Sequence, residues 1–581
     1  MFFRVKKLSS GNVLQLIKSY RNEENQPRQQ ILLSLGSTPI PEALQPAIAQ
    51  EIERRLDGIE FCFEQPQEVL RWADLLLQQI QRKGIAAPNP TPQEDAILVN
   101  PSQLSHEHTT SLGPLLVVQA AWKALDMNRI LKECGFNDKQ ICLAGISIWN
   151  RLLEPCSEHA LPAWIPTTSL EELWQKQVDR FTEGQFYRIS DLLLDHQEKI
   201  EESLRQRELE LFQLQNTYLL YDLTNTYFEG EAAKNPKAKR GGHSKEKRND
   251  APQLAMGLVL DNRGFVLKHK TFAGNTSDSA TLVKMLEELG CGDTQNPTVV
   301  IDSGIASQEN LDWIRSKKWH YMAVGKRPCR DQYKKAFEEG VFCKIRKDLE
   351  ISFVDQEDER IVLCQSSGRK LKEKGILSHA EKRLLDDLEK AKKSFAKRVS
   401  SDATMNQRIG RVLGRHPRAA RYYKVTLSGK ELSWSPKETM KAAEENHGRY
   451  VIRSSRKELS GNEIWKTYMT LSRIEAGFRQ LKSDLGLRPI YHQLEERCDA
   501  HVFITVLAYH LLHWIEERSG ESWESMHLKL RTHAYTTIIC PAVDGRVLHL
   551  RTPGRPDSQQ KTIYQTLDIS LKSLPRRETW A

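Results

Sequence analysis

The stretch TYLLYDLTNTYFEG, residues 217–230, is where the pattern of the chain changes from helical to strand-like. Residues 217–221 make a short apolar run that stops at Asp222, the pattern of a buried strand ending in a carboxylate. The pattern returns in VVIDSGIAS, residues 299–307, where the β-branched run 298–301 stops at Asp302. Between them, 253–260 and 265–272 read as strands joined by the turn Asp261-Asn262-Arg263-Gly264, and 279–289 reads as a helix. Ser307 is placed to cap a helix reaching Lys317, and 321–324 supplies one more strand. If the strands ending at Asp222 and Asp302 are neighbours, both carboxylates emerge at one sheet edge. Two hard oxygen donors there suit Mg²⁺.

Three strands, helix, strand, helix, strand is the order of an RNase H-like core. The expected fold class is therefore α/β: an RNase H-like mixed-sheet core, interrupted by a large insertion and preceded by α/β and helical regions. Before it, 2–5, 13–20 and 30–35 read as strands and 48–56 and 69–80 as amphipathic helices, an N-terminal α/β module over 1–83. Residues 84–114, with Pro88, Pro90, Pro92, Pro101 and Pro114, read as a linker. Residues 115–215 carry apolar side chains at three- and four-residue spacing and read as helical. The core's first part is 216–325, an insertion follows over 326–460, the core resumes over 461–519, and 520–581 is a C-terminal region of short strand and turn signals.

The resumed part holds a third carboxylate. A helix is expected from Asn462 to about Gly486, opened by the capping-box pair Ser460 and Glu463. Tyr468, Glu475 and Lys482 recur every seven residues, a spacing that drifts by only ~20° per step on a straight helix. They should share one face, with Arg479 four residues on from Glu475, while Leu471, Ile474, Phe478, Leu481 and Leu485 anchor the helix. A phenol, a carboxylate and an ammonium beside an apolar seam suit a site where the carboxylate completes a metal pair and Tyr and Lys hold phosphates. On a solvated helix, Glu475 would instead be an i,i+4 partner of Arg479.

These pieces together (YDLTNTYFEG at 221–230, GGHSKEKRNDAPQ at 241–253, FAGNTSD at 272–278, VVIDSGIAS at 299–307 and YMTLSRIEAGFRQLKSDLGLRPIYH at 468–492) resemble the DDE transposases of bacterial insertion sequences. The branch they resemble has a β-rich insertion before the third acid and a Y-x2-R-x3-E-x6-K signature. Tyr468, Glu475 and Lys482 match that signature, and its Arg position is Leu471; Arg473 and Arg479 are the candidates to stand in for it. The resemblance implies Asp222, Asp302 and Glu475 as a catalytic, metal-binding triad for Mg²⁺, with Mn²⁺ as a substitute. It implies two-metal phosphodiester cleavage and strand transfer on double-stranded DNA. The partners would be the element's terminal inverted repeats and target DNA, held by a homodimer in a synaptic complex, in the cytoplasm and on the nucleoid. The regions before 216 would recognise the ends. An RNase H-like nuclease that cuts without joining, and an inactive or domesticated DNA-binding relative, are the alternatives.

Composition sets the outer bounds. The 581 residues are roughly four domains' worth, enough to bury cores without metal or disulfide. Hydrophobic residues are 39% and charged residues 28%, an ordinary globular balance. Lys and Arg exceed Asp and Glu by 85 to 76, a formal +9, so what matters is where the charge gathers. It gathers over 234–248, where Lys245, Lys247 and Arg248 are candidate DNA contacts beside Asp222 or, alternatively, members of a solvated loop. It gathers again over 392–424, inside the insertion, a basic arm for DNA. Trp434 there is read as core rather than as a base-stacking ring. Asn275 and Asp278 are read as turn residues that shape the site. The ten cysteines form no C-x-x-C pair, which argues against a zinc ribbon and a disulfide framework. The apolar stretch 500–515 is interrupted by His501, His510 and His513, so no membrane span is expected, and these histidines read as packing residues. The first residues lack a secretory h-region, which favours the cytoplasm.

Overall fold

The structure, a computed structural model, describes residues 1–8, 11–21, 26–36, 38–56, 66–82, 98–178, 180–214, 217–230, 232, 235–240, 250–289, 296–397, 401–429, 431–572 and 574–581. They form two units, 1–104 with 540–547, and 105–539 with 548–581. In the first, β1 (Phe2–Leu8), β2 (Gly11–Arg21) and β3 (Pro27–Ser34) make an antiparallel meander. Helices Gln45–Leu56 and Gln67–Arg82 cover it. Their apolar residues recur at helical spacing, Ile48 with Ile52 and Val69, Ala73, Leu76 and Ile80, and bury Leu14, Leu16, Leu32 and Leu33 of the strands.

The second unit is organised by one sheet. In chain order its elements include β4 (Ser105–Ser111), β5 (Tyr218–Tyr227), β6 (Gln253–Leu260), β7 (Val266–Ala273), β8 (Thr298–Ile301) and β9 (His320–Val324). They continue with β10 (Cys343–Arg346), β11 (Leu349–Asp355), β12 (Arg360–Ser366), β13 (Tyr423–Ser428), β14 (Glu431–Pro436) and β15 (Arg449–Ser454). Nine of them pair in the order β10-β11-β12-β15-β9-β8-β5-β6-β7. β5, β8 and β9 are parallel, and the strands flanking them are antiparallel. The turn at 261–264 forms as its sequence predicts, with Asp261 Oδ1 accepting the N–H groups of Arg263, Gly264 and Phe265 at 2.8, 2.7 and 2.8 Å.

Strand alternation sorts the side chains onto two faces. Leu219, Tyr221, Leu223, Val299 and Ile301 point to one face, where helices Leu282–Leu289 and Gln308–Ser316 pack. Leu220, Met256, Leu258 and Val300 point to the other, against Leu471, Ile474, Phe478 and Leu481 and the helix Glu495–Ser519. That helix is long and apolar enough to cross a membrane by length and composition, but here it is buried on all sides as a central core helix. Its histidines do not interrupt it. Helices Gly113–Ala124, Asp138–Leu153, Glu183–Asp195 and Gln197–Phe212 pack around the same core.

Two expectations change. β5 does not stop at Asp222 but runs on to Tyr227, paired throughout with β6. Part of the expected linker, 105–111, is β4, which pairs with Ala534–Pro541. The insertion combines strands and helices. β10, β11, β12 and β15 extend the core sheet, while a 31-residue helix, Ser367–Lys397, with Asp402–Arg415 and the β13–β14 hairpin, builds a separate small core on Leu384, Leu388, Phe395, Met405 and Leu432. Trp434 packs there, with the Lys392 ammonium 5.5 Å from its ring centre.

Buried acid–histidine pairs tie distant parts of the chain together. Glu208 meets His510 at 2.7 Å, both 2% exposed, Glu158 meets His492 at 3.3 Å, and Glu201 takes His269 and Lys268. Such pairs are strongly destabilising to break singly. His513 is different: it lies between Phe265 and Tyr509, and its Nε2 has no hydrogen-bond partner among the described residues. Burial pushes it from the ordinary 6.5 down to about 4. Burial, with the Arg151 charge next to it, takes His501 down to about 3. A folded value below the unfolded one means full stability above pH 6.5 and loss as pH falls toward 4. Thermal unfolding followed from pH 8 to 4.5 should therefore show a falling acid limb that is shallower in His513→Phe, by up to about 1.4 kcal/mol per pH unit. Parallel limbs in the two proteins would refute the assignment.

Candidate active site at the carboxyl edge of the sheet

The parallel ladder of β5 and β8 closes with Tyr221 opposite Ile301, and that of β8 and β9 with Ile301 opposite Ala323. β8 is four residues long, so Asp222 and Asp302 are the first residues past the ladder on two neighbouring strands, which run about 4.8 Å apart. Asp222 follows Leu220 on the alternation and so faces the side covered by 471–481; Asp302 follows Val300 in the same way. Asp222 is half-buried and its Oδ1 accepts the Leu223 N–H at 2.8 Å. Asp302 is exposed, and its carbonyl accepts the N–H groups of Ile305 and Ala306 at 3.1 Å, turning the chain into helix Gln308–Ser316. Ser307 caps that helix through the Asn310 N–H at 3.2 Å, as its position predicts.

Glu475 comes from the facing layer. The Ser460–Glu463 capping box opens helix Gly461–Met469 as expected. The expected long helix forms as consecutive segments. After a tighter turn at Thr470–Leu471, where the backbone stays right-handed helical, the chain runs on as Ser472–Arg479 and ends in a π-helical turn, Gln480–Asp484. Tyr468, Glu475 and Lys482 therefore do not keep the spacing of one uniform helix, because the tighter and the wider turn each shift the register. Glu475 is exposed in the first turn of the second helix, where the helix dipole favours a carboxylate. The helix is seated by Gly477: a Cβ there would lie 3.0 Å from Tyr509 Oη and 3.6 Å from Leu260 Cδ1.

Tyr468 links the two layers. Its half-buried phenol is pushed up by burial first and then by the charges of Asp302 and Glu475, with Arg369 opposing. One hydroxyl thus feels both carboxylates and stays protonated at neutral pH. Arg479 is exposed and makes no ion pair with Glu475 among the described residues. Leu471 is buried in the core, and Arg473 donates to the Arg263 carbonyl at 2.8 Å, so that guanidinium is engaged by the β6–β7 turn. Lys245, Lys247 and Arg248 lie outside the described residues. Earlier in the same basic run, Lys237 is held by Asp499 at 2.6 Å and Glu495 at 3.1 Å. Asp278 borders the edge, with Oδ2 3.6 Å from where a Cβ on Gly304 would sit.

Arg369 and Tyr450 escaped the sequence reading. The guanidinium lies 4.7 Å from the Tyr450 ring centre, and Tyr450 Oη accepts the Trp465 indole N–H at 2.9 Å. Arg369 is about a hundred residues before Tyr468 in the chain, so no spacing rule joins them; only the pairing of β12 with β15 does.

The donors at this edge fit a hard divalent cation in kind, since carboxylate oxygens suit Mg²⁺ and Mn²⁺. Among the described residues no three His, Cys, Asp or Glu side chains stand close enough together to hold a metal ion, the three candidates included. The fit is one of chemistry and of layer, two aspartates on the sheet and one glutamate on the helix above it.

A family model described as "Transposase DDE domain" matches residues 219–511. Among curated proteins the sequence finds no match. Among solved structures, the cryo-EM structure of the piggyBac transposase synaptic complex with hairpin DNA is similar over 72% of this chain and 79% of that one, at 8% identity and a TM-score of 0.34. That score is too low to bear on the fold.

The seating of the glutamate helix gives a direct expectation. Gly477→Val should force Ser472–Arg479 away from Tyr509 and lower stability by about 1–3 kcal/mol in denaturant unfolding, with Gly477→Ala costing less. Equal stability of Gly477→Val and the unaltered chain would contradict this packing.

Proposed function

Since the chain belongs to the DDE transposase family, we propose that it is the transposase of a bacterial insertion sequence, acting in the cytoplasm. In this reading it binds the terminal inverted repeats of its element, pairs two ends as a homodimer, and cuts and joins DNA. One observation carries the reading: Asp222 and Asp302 end the same parallel ladder on one face, and the helix bearing Glu475 covers that face. The strand order β7-β6-β5-β8-β9, with the first two pairings antiparallel and the last two parallel, supports an RNase H-like core.

Asp222, Asp302 and Glu475 would hold Mg²⁺, with Mn²⁺ as a substitute. A divalent cation bound by them supplies positive charge that eases deprotonation of an attacking hydroxyl and neutralises the leaving oxygen. The chain's own residues do the rest. The sheet fixes the two aspartates relative to each other, and the core behind Ile474 and Phe478 fixes the helix that brings the glutamate. Tyr468, protonated at neutral pH, offers a hydrogen-bond donor to a phosphate oxygen. Lys482 and Arg479 add cationic groups beyond the glutamate, and Lys245, Lys247 and Arg248 belong to the same DNA-facing set.

The test is cleavage of a duplex carrying the element's own end with Mg²⁺ present, for the unaltered protein and for Asp302→Asn. The unaltered protein should nick at the end. The substitution keeps the side chain's size, removes a charged ligand, and should slow nicking on the order of a hundredfold or more while DNA binding persists. Binding without nicking by either protein would identify a DNA-binding relative instead. Nicking without any joined product would identify a nuclease.

A further inference from the structure

A recess of about 360 Å³ opens at the carboxyl end of β9, the strand next to β8. Val324 and Gly325 at the end of β9 form part of its wall. β9 lies next to β8, and β15 pairs antiparallel with β9 through Ile452 opposite Val324. Arg449 and Tyr450, which precede Ile452, therefore lie beyond the edge at which β8 gives way to Asp302. Gly325 is what lets the two strands meet there: a Cβ would lie 2.5 Å from Val451 Cγ2 and 3.0 Å from Cys329 Sγ.

Six arginines from four separate parts of the chain line this recess: Arg327, Arg330, Arg369, Arg418, Arg421 and Arg449. The single carboxylate in the lining is Glu373, which takes Arg369 at 2.9 Å and the Gly448 N–H at 2.8 Å. Arg330 is held by Asp331 at 2.6 Å. Among the described residues, Arg327, Arg418, Arg421 and Arg449 have no ion pair. Arg421 and Arg449 lie over the rings of Tyr422 and Phe337, 5.2 and 5.3 Å from their centres. Stacking uses the face of a guanidinium and leaves its N–H edges to acceptors. Converging cations without counter-charges raise the local positive potential, which an anion relieves. The recess is also coupled to the candidate site, because the charge of Arg369 reaches the Tyr468 phenol.

We propose that this arginine recess is a phosphate clamp: it holds a phosphodiester group of the DNA strand that passes the carboxylate edge. The guanidinium fork matches phosphate oxygens two at a time, and such contacts fix position along the backbone without reading bases. The inference rests on DNA being the substrate. It adds that the insertion supplies part of the strand's track, through Arg327 and Arg330 on the short helix that follows β9 and through Arg369, Arg418, Arg421 and Arg449.

The experiment is binding of a fluorescently labelled duplex carrying the element's end by the full chain, measured across a salt series. The proteins are the unaltered chain, the pair Arg327→Gln with Arg418→Gln, and a control pair of exposed lysines, Lys344→Gln on β10 with Lys347→Gln in the turn after it. The arginine pair should flatten the slope of log affinity against log salt by about 2 and weaken binding on the order of tenfold or more at physiological salt. It should exceed the lysine pair in both. If the arginine pair loses its melting transition, Arg327→Gln alone, exposed at the start of its helix, should still flatten the slope by about 1. An unchanged slope and affinity, or losses no greater than those of the lysine pair, overturn the clamp while leaving the transposase reading in place. An unaltered chain that binds no DNA overturns the transposase reading, and the clamp with it.

Discussion

The candidate site depends on β8 being short. Four residues, Thr298–Ile301, are enough to hold β5 and β9 in a parallel ladder and no more. Past Ile301 the sheet loses its middle strand while β5 continues toward Tyr227 beside β6. The gap that this leaves is open to one face, and the alternation of β5 and β8 turns Asp222 and Asp302 toward that face. A longer β8 would enclose both carboxylates in a ladder. A shift of one residue in either strand would send its aspartate to the side of Tyr221 and Ile301, where the helices Leu282–Leu289 and Gln308–Ser316 already pack.

The opposing layer is fixed by a different constraint. Glu475 lies on a helix of two turns that has little stability of its own. It is held by Ile474 and Phe478 in the core and by the close approach that Gly477 allows. A tighter turn at Thr470–Leu471 and the π-helical turn at Gln480–Asp484 flank this helix, and Leu471, Ile474, Phe478 and Leu481 are buried in the core along it. Arg473 is committed to the β6–β7 turn, so this chain assembles its cationic surroundings from elsewhere. The insertion provides them, since its strands extend the sheet and, with the helix after β12, bring Arg369, Arg449 and Tyr450 to the edge beyond β9.

Much of this was legible in the sequence, and the reasons are local. The apolar runs before Asp222 and Asp302, the turn at 261–264 and the caps at Ser307 and Ser460 are each set by a few neighbouring residues. The length of β5 was not legible, because Leu223–Tyr227 alternates polar and apolar side chains and is kept as strand by its pairing with β6. Nor were the tighter turn at Thr470–Leu471 and the π-helical turn at Gln480–Asp484, because heptad spacing reads the same on a uniform helix. His501, His510 and His513 read as packing residues, and they are packed, though their partners on distant helices and their aromatic neighbours were not legible. The arginine recess was half visible as a basic run over 392–424. What gives it shape, the meeting of β9 with β15, depends on strands more than a hundred residues apart.

In the proposed function Asp222, Asp302 and Glu475 act as one cation site although they come from two layers. The measurement is manganese uptake by the full chain, followed through the electron paramagnetic resonance signal of the free ion with an end-bearing duplex present. Saturable uptake by the unaltered protein is expected, lost in Asp222→Asn and, separately, in Glu475→Gln. Uptake that survives both substitutions unchanged would contradict it.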